Sequence, residues 1–516
     1  MTRMDPRSPS VVWASSDATG DNIRVSSLLT IGRLIAVGIN FLVHVLIVRY
    51  LAQADYGAFA YATSAVALGS TIAVFGMNNT LLRFVPIYEE RGDLSRAFGA
   101  LAVGLGTIGL LAIGIVLAFY LSQGLLVDLI VDNGLALPVL MIMVLRLPVQ
   151  AFDRALVGLF AIFGSARHII WRRYIVAPLL DLTVVIIVIV GGHDVLFLAA
   201  AMVGVAMLGL ATYTRILIQL MRRRGLFEHL RLSNLRFPVR EMLSFSLPLL
   251  VTDVVYLLRV SVIVILLGGM TGVAEVALFS AVVPIANQNA LVLESFRLLF
   301  MPTAARLYER EDGPGINDLY WQAAIWVVIA TLPILLVSVS LARPVTVFLF
   351  GDPYAQSATV LAILGIGHFV NAAFGNNGPT LRVFGRVRYL VTVDLLTGAV
   401  GVAATVPLIG MWGATGAAVG VTLMLVVQNA LYQIGLARST SVTGFAPRYL
   451  RVYLGIPVAA SAVFITQIIV NPPLWFGLGL VLVVSLGFFI LNRRFLRLGE
   501  VFPELRRLPL ARSILD

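Results

Sequence analysis

The feature that most limits what this chain can become is a succession of long apolar runs, broken only by short polar connections. A bilayer core about 30 Å thick is crossed by about 20 consecutive apolar residues in a helix. Runs of that length lie near 27–48, 57–82, 98–121, 135–158, 175–191, 195–219, 243–268, 273–299, 320–341, 357–376, 391–410, 412–435, 449–470 and 473–492, fourteen in all. The chain is 59% apolar and 12% charged, whereas a soluble domain carries about a quarter charged residues. The expected class is therefore all-α integral membrane, with about 14 transmembrane helices. Pro248, Pro284 and Pro333 fall inside spans, where neighbouring helices re-satisfy the freed backbone groups. The least sharply marked divisions are the tight joints around Gly192, Met270 and Gly410.

Charge sets the orientation. Every basic residue is Arg, 37 in number, and the net charge is +11. With the N-terminus in the cytoplasm and alternate loops turned inward, 32 of the 37 Arg fall on the inner side and only Arg49 and Arg343 on the outer. A wrong span count would scramble this bias, so it supports both the number and the direction of the spans. Anionic lipid of the inner leaflet accounts for the basic balance without nucleic acid. The expectation is a multi-pass protein of the cytoplasmic, inner membrane with both termini cytoplasmic. Residues 1–26 read as a polar tail, not a signal peptide, because they carry no apolar core. Residues 493–516 read as a basic cytoplasmic tail. The linker 221–242 holds Arg222, Arg223 and Arg224 ahead of Leu226, Phe227, Leu230, Leu232 and Leu235, the pattern of a helix lying on the inner surface.

Cysteine is absent and the five His are scattered, which excludes disulfides, thiolate catalysis and any recognisable metal site. No metal or cofactor is expected. Without Lys there is no phosphate-binding Gly-x-x-x-x-Gly-Lys loop, so direct ATP hydrolysis is excluded.

Faint internal symmetry runs through the spans. Phe163–Arg167 before span five resembles Phe384–Arg388 before span eleven, 221 residues on. Ala54-Asp55 with Phe59 resembles Ala274-Glu275 with Phe279, 220 on, and Val203-Gly204-Val205 resembles Val419-Gly420-Val421, 216 on. Six helices separate the copies, and an even number preserves orientation, so the copies are parallel repeats about an axis along the membrane normal. The expected organisation is an N-terminal lobe at 27–220, a C-terminal lobe at 243–436 and two further spans at 437–492. Two such lobes enclose a cavity that rocking opens to either face. That architecture suits a transporter rather than an enzyme.

With these residues in view the chain resembles the polysaccharide flippases of the multidrug, oligosaccharidyl-lipid and polysaccharide exporter superfamily. The resemblance is carried by Arg49-Tyr50-Leu51 and Asp55-Tyr56-Gly57-Ala58-Phe59 at the first outer turn, by Gly76 with Leu82-Arg83-Phe84, and by the Gly-x-x-Arg turns at 164–167 and 385–388. It covers about residues 25–495. It implies transport of an undecaprenyl-diphosphate-linked oligosaccharide from the inner to the outer leaflet, a sodium ion or proton as coupling cation, and polysaccharide polymerase machinery as a partner. Sister families imply the alternatives, an ion-coupled multidrug exporter or a peptidoglycan-precursor flippase. A membrane glycosyltransferase or polymerase fits less well, because the outer connections are too short to carry a catalytic loop.

Ionisable groups at membrane depth cost about 2.5–3.5 kcal/mol on insertion scales, so they face a cavity or a partner. Arg33 in span one, Arg146 in span four and Arg259 in span seven are the intramembrane cations, and Arg83 closes span two on the inner side. Guanidinium binds phosphate oxygens bidentately without losing its charge, so these four are the candidates for a diphosphate. Spans one and seven are equivalent in the repeats, which sets Arg33 and Arg259 opposite each other; the competing readings are snorkelling for Arg33, an ion pair for Arg259 and pairing within its own lobe for Arg146. Asp253 and Glu294 are the candidates for a coupling cation, with a pair to Arg297 as the simpler reading of Glu294. Asp181 and Asp394 read as capping or loop-pairing residues near helix ends. Asn40 and Asn287 lead a set of polar residues that includes His44, Asn78, Asn79, Gln288, Asn289, Asn371, Asn376 and Asn377, suited to sugars in a hydrated cavity or to interhelical hydrogen bonds.

Overall fold

The structure is a computed structural model that describes residues 16–124, 134–164, 171–225, 235–257 and 261–496; the side chains of 16–31, 251–257, 298 and 299 are not included in that description. The expected surface helix of the linker falls largely on 226–234, and Arg167 and Arg259 also lie outside the described residues. Among the described residues the chain is helical throughout, with no strand.

Among the described residues twelve helices are long and apolar enough to cross a membrane. The first crossing is α1 (Ser16–Tyr50). The second is broken into α2 (Gln53–Val74) and α3 (Met77–Glu90), because Phe75 and Gly76 both adopt positive φ, 52° and 67°. Then come α4 (Leu94–Leu121), α5 (Ala136–Val144) with α6 (Arg146–Phe163), a π-helical turn leading into α7 (Ala177–Gly191), and α8 (Val195–Arg223). The second half opens with α9 (Val239–Leu257) and α10 (Ile263–Thr271), followed by α11 (Val273–Ala286) and α12 (Asn289–Glu309), which part at Asn287 and Gln288. It continues through α13 (Gly313–Ser340), the short α14 (Ala342–Phe350), α15 (Ser357–Ala373), α16 (Asn377–Val383) and α17 (Val387–Ser439); α18 (Leu450–Val470) and α19 (Leu474–Leu496) end the described chain.

Helix α17 has 53 residues. At 1.5 Å per residue that is about 80 Å, far more than one crossing. It turns at Gly413, whose φ of 53° and ψ of −128° are not helical. Past the turn the arms pack antiparallel: Gly401 lies against Met424, Thr405 against Gly420, and the Leu408 carbonyl against Gly416. Glycine at these contacts lets the two backbones approach closely. The turn falls three residues beyond the expected joint at Gly410, since Gly410 itself keeps a helical φ.

The expected lobes meet along two seams. At the end expected to be outer, α2 packs on α11, where Gly57 lies against the Val273 carbonyl with no room for a Cβ. At the end expected to be inner, α9 packs on α2, α3 and α4. There Gly76 approaches the Ser246 carbonyl, Gly99 approaches the Arg236 carbonyl, and the Tyr88 hydroxyl donates to Glu241 at 2.9 Å.

Candidate functional site

Helix α1 presents Arg33, Asn40 and His44 on one face. Separations of 7 and 11 residues return to within about 20° of the starting direction at 100° per residue. Arg33 and Asn40 are exposed and His44 is half-buried. The top of this stripe is closed by His44, whose Nε2 lies 2.9 Å from the Ala281 carbonyl of α11. The imidazole is flanked edge-on by Tyr56 and Phe350, each with ring centroids 6.0 Å away. This hydrogen bond ties the first helix of one lobe to the second crossing of the other.

Depths below that bond follow from helical rise. Asn40 lies about 6 Å inward of His44, and Arg33 about 16 Å. On the facing crossing, which runs the opposite way, Asn287 lies about 9 Å inward of Ala281 and Glu294 about 20 Å. Asn40 and Asn287 therefore stand at similar depth, and Asn287, at the break between α11 and α12, is exposed. Below the break α12 packs on α13, α15 and α16, while the lower part of α1 packs on α7 and the π-helical turn before it. The two crossings are in contact at the outer level, and inward of it each presents exposed polar groups, Arg33 and Asn40 on one and Asn287 and Ser295 on the other. Arg33 has no ion-pair or hydrogen-bond partner among the described residues.

The other expected site residues are placed as follows. Arg83 is exposed at the inner seam, its guanidinium 4.5 Å from the Phe245 ring and 5.7 Å from Phe84. Glu294 is engaged: Arg297 donates to it at 2.9 Å and donates also, at 2.7 Å, to the Gly375 carbonyl at the break between α15 and α16. Arg146 sits inside the N-terminal lobe, where it lines a cavity of about 150 Å³ with Asp181 and Gln150. The same cavity holds the ion pair of Arg172 and Asp153, and the Arg172 guanidinium stacks 3.7 Å from the Tyr213 ring centre. Arg33, Asn40 and Asn287 are thus exposed on neighbouring crossings, whereas Arg146 lines a cavity within the N-terminal half of the chain. Asp253 lies on α9, and its side chain, like Arg259, is outside the described residues.

Three amides of the C-terminal lobe bond to one another. Asn377 donates to Asn429 at 3.2 Å and Asn429 donates to Asn371 at 3.1 Å. Asp394, expected near a helix end, accepts from Tyr432 at 2.6 Å and from Gln428. Sequence reasoning passed over Gln428, Asn429, Tyr432 and Gln433. The signal was present as a polar stripe at i, i+1, i+4 and i+5 within an apolar run, the spacing of one helix face.

Chemically these exposed positions offer a guanidinium with no partner among the described residues, set below neutral amides. Such an arrangement holds a dense anion at one level and hydroxyl-rich groups at another. Among the described residues no cluster of His, Cys, Asp and Glu is fit to hold a metal ion.

Residues 23–297, just over half of the chain, match the family described as polysaccharide biosynthesis protein. Among curated proteins none matches the chain in sequence. Among solved structures the fold is similar to that of the lipid II flippase MurJ in an inward closed conformation, with 12% identity, a TM-score of 0.70, and 91% of this chain and 100% of that one covered. It is similar also to an inward-facing multidrug resistance MATE family transporter of the MOP superfamily, at 15% identity and TM-score 0.58 over 79% of this chain and 98% of that one. A variant of a MATE transporter from Vibrio cholerae matches at 15% identity and TM-score 0.53, over 83% of this chain and 98% of its own. At these identities the likeness shows the fold, which is one used by membrane flippases and transporters.

Proposed function

The chain belongs to the polysaccharide biosynthesis protein family, and on that premise we propose that it flips an undecaprenyl-diphosphate-linked oligosaccharide from the inner to the outer leaflet by alternating access. The observation that supports this reading is the stripe of Arg33 and Asn40, exposed below the His44–Ala281 bond, with Asn287 exposed at similar depth on the crossing that this bond ties to α1. A guanidinium with no partner among the described residues is costly at membrane depth unless it serves an anion. The diphosphate is such an anion, and Arg33 binds it bidentately. Asn40 and Asn287 supply donors and acceptors to the sugars. The isoprenoid tail stays in the bilayer and leaves the cleft through the flank between α1 and α12. Outward opening then parts His44 from Ala281 and slides Gly57 off the Val273 carbonyl.

In this reading Arg83 meets the head group at the inner rim, Arg259 faces the cleft from the seventh crossing, and Arg146 serves the N-terminal lobe. Asp253 is the carboxylate left for a coupling sodium ion or proton, because Glu294 is already held by Arg297. The same reading puts the protein in the inner membrane with both termini cytoplasmic, and hands its cargo to polymerase machinery. The lobes are 27–220 and 243–436, joined by the linker 221–242.

The test is deletion of the gene followed by complementation. Loss should accumulate an undecaprenyl-diphosphate oligosaccharide on the cytoplasmic side, which wild type clears and Arg33→Ala fails to clear at equal abundance. Accumulation of peptidoglycan precursor instead would establish the sister flippase, which shares the diphosphate chemistry. Unchanged glycolipids with new drug sensitivity would overturn both in favour of an exporter.

A further inference from the structure

Helix α8 packs one side against α5, α6 and α7. Its opposite side lines a cavity of about 620 Å³ that no other described helix shares. The lining changes character along the axis. Met207, Leu210 and Ala211 form the end nearer mid-membrane, whereas Thr214, Arg215, Gln219 and Arg222 form the end nearer the membrane surface. Arg215 and Arg222 are seven residues apart, so they share a face and sit about 10 Å apart along the axis. Both are exposed and neither has an ion-pair partner among the described residues. From Met207 to Arg222 the groove runs about 22 Å, close to half of a bilayer about 40–45 Å thick with its head groups.

A second cavity, in the C-terminal lobe, overlaps the repeat positions of this groove at three residues. This cavity, of about 380 Å³, lies between the arms of α17 and includes Leu423, Val427 and Leu431. These stand 216 residues on from Met207, Ala211 and Arg215, the offset at which Val203-Gly204-Val205 matches Val419-Gly420-Val421. The counterpart is apolar throughout, since its two threonine hydroxyls donate to carbonyls of their own helix, Val393 and Gly401. Leu423 and Val427 are about half exposed, at 50% and 47%, as residues that face lipid tails are. By the repeat, the positions of Met207 and Ala211 face lipid too. The N-terminal copy differs by placing Arg215, Thr214 and Gln219 where the other has Leu431, Ala430 and Gly435.

We propose that the α8 groove is a binding site for an anionic phospholipid of the adjoining leaflet. Arg215 and Arg222 hold the phosphate, Thr214 and Gln219 hydrogen-bond the head group, and an acyl chain runs along Met207, Leu210 and Ala211. The lipid is a resident ligand, separate from the cargo of the cleft, and the assignment does not depend on which cargo is carried. Its grounds are charge complementarity and length. Two cations with no carboxylate beside them recruit an anion, and an apolar channel continuing from them for the rest of a leaflet selects one with a chain attached.

The experiment uses the purified full-length protein, equilibrated with equal amounts of dioleoyl phosphatidylglycerol and dioleoyl phosphatidylcholine and read by native mass spectrometry. Wild type should retain phosphatidylglycerol preferentially, and Arg215→Leu should lower that preference roughly fivefold, the effect of one interfacial arginine. Arg215→Lys should keep most of it. Leu431→Arg should create a second site of the same preference in the other lobe, and this gain decides the matter even if Arg215→Leu fails to fold. Equal retention of the two lipids by wild type would overturn the proposal, as would an Arg215→Leu variant that matches wild type. Displacement of phosphatidylglycerol by glycerol phosphate at matching concentration would overturn it in favour of a soluble-anion site.

Discussion

Two hairpin turns occupy the same place in the two lobes, Gly192 and Gly413, 221 residues apart, and they close by different means. Gly192 is left-handed, with φ of 66° and ψ of 27°, and ends α7. Asp194 then caps α8 from within the turn, accepting from the Phe197 amide at 3.0 Å. In the C-terminal lobe the turn is the single residue Gly413, too short to bring a cap of its own. The Ala414 amide donates instead to Glu275, at 2.7 Å, from the first turn of α11. Glu275 is the repeat partner of Asp55. One second arm is thus capped from within its own turn, while the other is capped by a helix that also forms the seam between the lobes. The difference implies that α11 moves with the C-terminal hairpin, and that the outer seam parts on the N-terminal side of α11.

The largest expected effect comes from the turn residues themselves. At φ of 53° and ψ of −128° an L side chain is strained, and a Cβ on Gly413 meets the Glu275 carboxylate. Gly413→Ala should therefore cost about 3 kcal/mol, backbone strain and collision together. Gly192→Ala pays only the left-handed penalty of about 1–2 kcal/mol, since a Cβ there has nothing within 4 Å. Thermal unfolding in detergent should show a drop for Gly413→Ala well beyond that for Gly192→Ala. Equal drops would mean that the two turns are interchangeable and the contrast is empty.

The caps come next. Removing a side-chain cap costs about 1 kcal/mol, and a charged acceptor roughly doubles the strength of its hydrogen bond. Both caps are carboxylates, so Asp194→Ala should loosen only the start of α8, whereas Glu275→Ala should loosen the start of the second arm of α17 and also detach α11 from it. Hydrogen exchange read by peptide should show protection lost at one place for Asp194→Ala and at two for Glu275→Ala. If exchange of α11 stays at its wild-type level in Glu275→Ala, the carboxylate is a local cap and the inference about joint movement fails.

Much of this architecture was legible in the chain. Apolar run length located the crossings, because hydrocarbon thickness acts on the chain locally. The expected joint at Gly410 missed Gly413 because Pro407, Gly410, Gly413 and Gly416 offer several places to bend. Which one bends is decided by Glu275, 139 residues away. The exposed polar groups of these crossings were legible too, since Arg33, Asn40 and Asn287 stand out against apolar neighbours. Their mutual depth was not, because it depends on where α1 touches α11. Arg146 shows the limit most clearly: an intramembrane arginine announces that it needs a partner, but only packing shows that Asp181 shares its cavity. Hydroxyl and amide partners such as Tyr432 with Asp394 stayed hidden because such groups are inexpensive at membrane depth and carry no obligatory pairing.

The smallest effect expected bears most directly on movement. If α11 travels with the C-terminal hairpin, outward opening has to break the bond between His44 and Ala281 while leaving Glu275 on Ala414. Interhelical hydrogen bonds of this kind average about 0.6 kcal/mol within membranes, which raises the population of the opened state roughly threefold when one is removed. The chain has no cysteine, so Asn40→Cys supplies a single thiol about 6 Å inward of the bond. A membrane-impermeant thiol reagent applied from outside should label it about threefold faster in His44→Ala than with His44 intact. Adding Glu275→Ala should leave that ratio unchanged if α11 opens as part of the C-terminal body. A ratio that collapses to one on adding Glu275→Ala would mean that α11 follows the N-terminal lobe once untied, and the seam would then have to be drawn on its other side.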